Sequence, residues 1–163
     1  MRQRLVLAWV VVAVAACAAP AALADGATAS YRVTGTEVAF TSTQGHFVGY
    51  ATGSGSAGVF DAIVDHQPLG SAATPAITGG TFSLELASLG GTSTLSGGFS
   101  GGTIRTLNAG AGCTNQTFAV DGTVALAGGG TGAFDVTLTH HRVSIFGYCL
   151  TYAGTIAGTL TVS

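Results

Sequence analysis

The sequence predicts an all-β fold over residues 25–163: a single antiparallel eight-stranded barrel, with a two-sheet β-sandwich as the alternative. Three observations lead there. Eight segments alternate apolar and polar residues between glycine or proline clusters, and no helical period is sustained beyond residue 24. All 26 glycines lie after residue 24 among many Thr, Val and Ser. Helix interiors lose about 1 kcal/mol per glycine relative to alanine, whereas strands use glycine at bends, bulges and turns. Finally, large aromatic rings fall one to a segment, as a shared interior requires.

The segments run near 30–42, 46–55, 58–66, 77–87, 93–106, 115–126, 132–142 and 149–162. Phe40, Phe47, Phe60, Phe82, Phe99, Phe118 and Phe134 serve the first seven, Tyr152 the eighth, and Phe146 falls in a loop. The clearest alternations are Phe118, Val120, Val124, Leu126; Phe134, Val136, Leu138; and Leu150, Tyr152, Ile156, Leu160, Val162. The expected interior is therefore Phe60, Phe82, Phe99, Phe118, Phe134 and Tyr152. Five rings follow Gly-x-Phe, at Gly45, Gly58, Gly80, Gly97 and Gly132, which reads as punctuation at strand entry. Their irregular spacing argues against a solenoid. Interior glycines ease the curvature of a small barrel and favour it over the sandwich. An outer-membrane barrel is disfavoured, because glycine and threonine take most positions its lipid face would need and tryptophan is absent after residue 24.

Residues 1–24 predict a signal peptide: Arg2 and Arg4, an apolar run from Leu5 to Ala16, and the small-residue cleavage pattern Ala22-Leu23-Ala24. The run falls short of the roughly 20 residues a membrane span needs. Val14-Ala15-Ala16-Cys17 reads alternatively as a lipobox, with Cys17 acylated and the protein anchored at the cell surface. Cleavage after Ala24 leaves one domain, too short for two. Its three arginines and seven acids give a formal charge of −4, and the chain has no lysine. Nucleic acid and anionic lipid are both poor partners for such a chain. The expected location is secreted or extracytoplasmic, where Cys113 and Cys149, the two cysteines left, should be bonded. They lack the paired C-x-x-C spacing of a metal site, and no metal or cofactor is expected.

Gly129-Gly130-Thr131-Gly132-Ala133-Phe134 resembles the Gly-Gly-Thr-Gly-x-Phe turn of allene-oxide-cyclase-like and dirigent-like proteins, which are small barrels and often secreted. The resemblance implies that kind of fold. Those families usually continue with an Ala/Gly-rich segment, whereas Asp135 to Arg142 follow here, so no catalytic residue carries over.

In an up-and-down barrel the odd-numbered strands finish at one end. His66 closes the third segment, Arg105 lies near the end of the fifth, and His140, His141 and Arg142 close the seventh. His46, Cys113 and Cys149 belong to that rim as well. Alternation continues the apolar face through Phe60, Ala62 and Val64 to His66, and through Phe134, Val136 and Leu138 to His140. His141, Asp61 and Asp65 should face outward. The candidate binding rim is His66, Arg105, His140, Arg142, Asn115 and Tyr148, facing a small polar or anionic ligand. His-Glu-x-x-His and Walker patterns are missing, and no Gly-x-Ser-x-Gly elbow is expected: Gly98-Phe99-Ser100-Gly101-Gly102 matches that spacing but lies inside the fifth strand segment with no helix after it, so no catalytic residue is assigned. The leading reading is an exported, non-catalytic ligand-binding module or envelope component. The alternatives are a small isomerase or cyclase using His66 and His140 as acid and base, and a structural or adhesive surface protein.

Overall fold

The computed structural model describes residues 27–163; the signal segment and Cys17 lie outside the described residues. Eight strands follow in chain order: β1 (Ala29–Phe40), β2 (Gln44–Gly53), β3 (Ser56–His66), β4 (Ala76–Ser88), β5 (Gly91–Asn108), β6 (Gln116–Leu126), β7 (Thr131–Ile145) and β8 (Tyr148–Val162). Each pairs antiparallel with the next, and β8 returns to β1 through pairs such as Tyr31↔Leu160 and Glu37↔Gly154. The sheet is a closed barrel without an edge, and the sandwich alternative is excluded. No helix among the described residues is long and apolar enough to cross a membrane.

Local sequence accounts for the tight connections. Ser54 and Gly55 both adopt positive φ, 48° and 75°, between the paired residues Gly53 and Ser56, as a two-residue type I′ hairpin turn demands. Cys113 is the last residue of a short 3₁₀ turn (Ala111–Cys113) and is bonded to Cys149, with the sulfurs 2.01 Å apart and the Cα atoms 5.5 Å apart. This bond ties the β5–β6 connection to the first residues of β8.

The interior is built from aromatic rings laid over glycines. A Cβ added at Gly35 or Gly49 would come within 2.6 Å or 2.7 Å of the Phe60 ring, and one at Gly122 within 2.7 Å of the Phe134 ring. Glycine on one strand thus makes room for a ring on a neighbour, which lets a small closed sheet hold large side chains. Phe99 packs between Phe82 and Phe134, with centroids 5.9 Å and 5.2 Å away. Phe60, Phe82, Phe118 and Phe134 are buried, as their alternation implies. Tyr31, Ala51, Leu86, Val124 and Val162 are also buried and close the end of the barrel opposite the histidines.

Tyr152 is a correction. The pairing of β7 with β8 steps from His141↔Ala153 to Arg142↔Thr151, so Tyr152 is the extra residue of a β-bulge. The bulge breaks the two-residue period that would have carried Tyr152 inward from Ile156. Its side chain is 68% exposed and lies on the outer face, 6.2 Å from the His141 ring. Phe47, left out of the expected interior, is buried on β2.

Candidate functional site

The barrel encloses a cavity of about 460 Å³ that reaches from Leu84, Val124 and Leu160 to the histidine-bearing rim. Its walls are apolar side chains of all eight strands, among them Phe60, Phe82, Phe134 and Leu138. The mouth is formed by the β1–β2 and β3–β4 connections, through Phe40, Thr41, Ser42, Pro68 and Leu69, together with His66. Eight strands leave an interior wide enough for side chains or one small ligand, and the volume falls in the range of small-molecule sites.

Just inside the mouth lies a buried polar pair. His140, at a late inward position of β7, is 8% exposed, and its Nε2–H donates to Oε2 of Glu37 at 3.0 Å. The Glu37 side chain is only 4% exposed. Gly154, paired with both residues across β8, admits the carboxylate: a Cβ there would collide with Glu37 Oε2 and lie 2.8 Å from its Cβ. The Phe118 ring meets the imidazole edge-on with centroids 5.4 Å apart, and Phe40 lies 6.0 Å away on the mouth side. With Nε2 held by the carboxylate, neutral His140 has its lone pair at Nδ1. Neither Nδ1 nor Glu37 Oε1 makes a hydrogen bond among the described residues. Among the described residues no buried side-chain nitrogen or oxygen is sealed off without a partner, so both atoms keep some exposed surface, and both residues line the cavity. A carboxylate-oriented imidazole facing an apolar chamber can accept a hydrogen bond or a proton.

His66 closes β3 at the mouth, half-buried, and its Nδ1–H donates to the Gln67 carbonyl at 2.7 Å. Its Nε2 is then the acceptor. Both inward histidines therefore line one cavity.

The other rim residues lie elsewhere. Arg105 points away from the barrel on β5 and is exposed, because the inward position beside it belongs to Ile104. Arg142 donates from Nη1 to the Gly110 carbonyl at 3.1 Å, and its backbone N–H donates to Asn115 Oδ1 at 3.2 Å. Asn115 Nδ2 donates to His141 Nδ1 at 3.3 Å, and His141 Nε2–H donates to Thr155 Oγ1 at 3.0 Å. Together with the disulfide these bonds fasten the β5–β6 connection to the outside of β7 and β8. Tyr148 is 74% exposed near the tip of the β7–β8 hairpin. His46 also faces outward, donating from Nε2 to Asp61 Oδ2 at 3.0 Å. Among the described residues, no three His, Cys, Asp or Glu side chains gather as a metal-ligand set.

Glu37 is the site residue that sequence reasoning missed. Its signal is the series Tyr31, Val33, Gly35, where the next two-residue step places an acid on the inward face. Its partner lies 103 residues away, so only barrel closure brings the two together. Comparisons with protein families, curated proteins and solved structures found no match to this chain.

Proposed function

We propose that this protein is an exported binding module that holds one small, predominantly apolar molecule inside the barrel. The observation that carries this reading is the apolar cavity of about 460 Å³, open at the histidine rim and closed at the other end. Its walls favour a ligand less polar than the rim composition suggests, since apolar surface supplies the main attraction and a few placed polar groups fix orientation. The Cys113–Cys149 bond supports an oxidising, extracytoplasmic location.

The test is fluorescence titration with N-phenyl-1-naphthylamine, a neutral apolar probe. Saturable one-to-one binding is expected, and Ala62→Trp, which places an indole in the cavity, should abolish it. Val64→Trp fills the mouthward end and serves the same purpose if the first variant folds poorly. Unchanged affinity in a folded tryptophan variant would refute the reading.

A further inference from the structure

We infer that the cavity selects apolar molecules carrying a hydroxyl donor, of the phenol or alcohol class, over carboxylates and over plain hydrocarbons. This inference rests on the binding reading above and names the ligand chemistry of the same site.

The argument comes from the hydrogen-bonding inventory of the wall. Thr41, Ser42 and His66 stand at the mouth, and Thr159 alternates onto the outer face beside buried Leu160. The polar side chains that remain along the cavity are Glu37 and His140. An ionised carboxylate only accepts hydrogen bonds. Neutral His140 has one N–H, and Glu37 Oε2 already takes it. The atoms left over, Glu37 Oε1 and His140 Nδ1, are both acceptors. His66 repeats the pattern at the mouth, because its Nδ1–H is spent on the Gln67 carbonyl.

Such a chamber treats three ligand classes differently. A hydroxyl donates to His140 Nδ1 while the body of the molecule covers apolar wall. A hydrocarbon of the same shape strips water from Nδ1 and Oε1 and returns nothing, and desolvated polar groups left unpaired discriminate strongly against such analogues. A carboxylate brings a second negative charge beside Glu37 in a poorly solvated space and finds no donor beyond the mouth.

The geometry also supports a role for the pair beyond stability. A buried pair of this kind is commonly no more stable than apolar residues of similar volume. Here His140, packed on one side against Phe118 and Phe40, also lines the open cavity, as does Glu37.

The experiment is calorimetric titration of the oxidised protein with para-propylphenol, propylbenzene and para-propylbenzoate at about pH 8, where ordinary imidazole is neutral. The phenol should bind about tenfold more tightly than propylbenzene, as one additional hydrogen bond implies, with the benzoate weakest. In the double variant Glu37→Leu/His140→Leu, which removes the acceptors a hydrocarbon strips of water, propylbenzene should bind more tightly than it does to the parent and the preference for the phenol should disappear. Equal affinities for phenol and propylbenzene, or tightest binding of the benzoate, overturn the inference while the cavity remains a binding site. If none of the three binds, the binding reading fails and the selectivity with it.

Discussion

Removing one member of the Glu37–His140 pair should be far more damaging than removing both. In His140→Leu the Glu37 carboxyl group, its side chain 4% exposed, loses the one hydrogen-bond donor it has among the described residues and stays among apolar neighbours. Breaking a buried pair in this way costs about 3–5 kcal/mol, while replacing both partners with apolar residues of similar volume is often neutral or stabilising by roughly 1–4 kcal/mol. The cavity lets some water reach Glu37, so the lower end, about 3 kcal/mol, is expected for the single variant. With a urea m-value near 2 kcal/mol/M, that lowers the unfolding midpoint by roughly 1.5 M. The double variant Glu37→Leu/His140→Leu should unfold within about 0.5 M of the parent or above it. Equilibrium urea denaturation followed by near-ultraviolet circular dichroism reads all three midpoints. If the double variant is as unstable as His140→Leu, the penalty does not come from the abandoned carboxylate, and the reasoning about this pair is refuted.

Other consequences are simpler to check. Phe118→Ala and Phe134→Ala should each cost about 3–5 kcal/mol in chemical denaturation, whereas Tyr152→Ala, on the outer face, should stay within about 0.5 kcal/mol of the parent. Thiol labelling of unfolded, unreduced protein cleaved after Ala24 should detect no free cysteine, and replacing both Cys113 and Cys149 by serine should cost about 4 kcal/mol from the lost restraint on the unfolded chain. Gly154→Ala should reduce affinity for para-propylphenol without reducing that for propylbenzene, because the new methyl group displaces Glu37 from His140; equal losses for both ligands would contradict this.

The fold was largely legible because a barrel strand carries its structural information locally. Two-residue alternation places Phe60, Phe82, Phe118 and Phe134 inside without reference to any other strand, and strand direction alone puts the histidines at one end. That logic also carries His66 and His140 into the cavity. It fails where the period breaks or where a partner is distant. Tyr152 left the interior because a β-bulge inserts one residue opposite the pair His141 and Arg142, and a bulge has no dependable local signature. Arg105 followed the rim but not the inward face, which Ile104 occupies. Glu37 was visible as an acid in an apolar series, yet its meaning depends on an imidazole contributed by β7 across the β1–β8 closure. The expectation of a polar or anionic ligand was drawn from the rim's composition, and the chamber beneath that rim is lined mainly by apolar side chains.

The most direct measurement is the crystal structure of the oxidised protein grown with para-propylphenol. The expected result is a ligand inside the barrel, its ring among Phe60, Phe134 and Leu138 and its oxygen about 2.7–3.0 Å from His140 Nδ1. A ligand found only on the outer face, or seated in the barrel with its hydroxyl turned away from His140, would contradict the account.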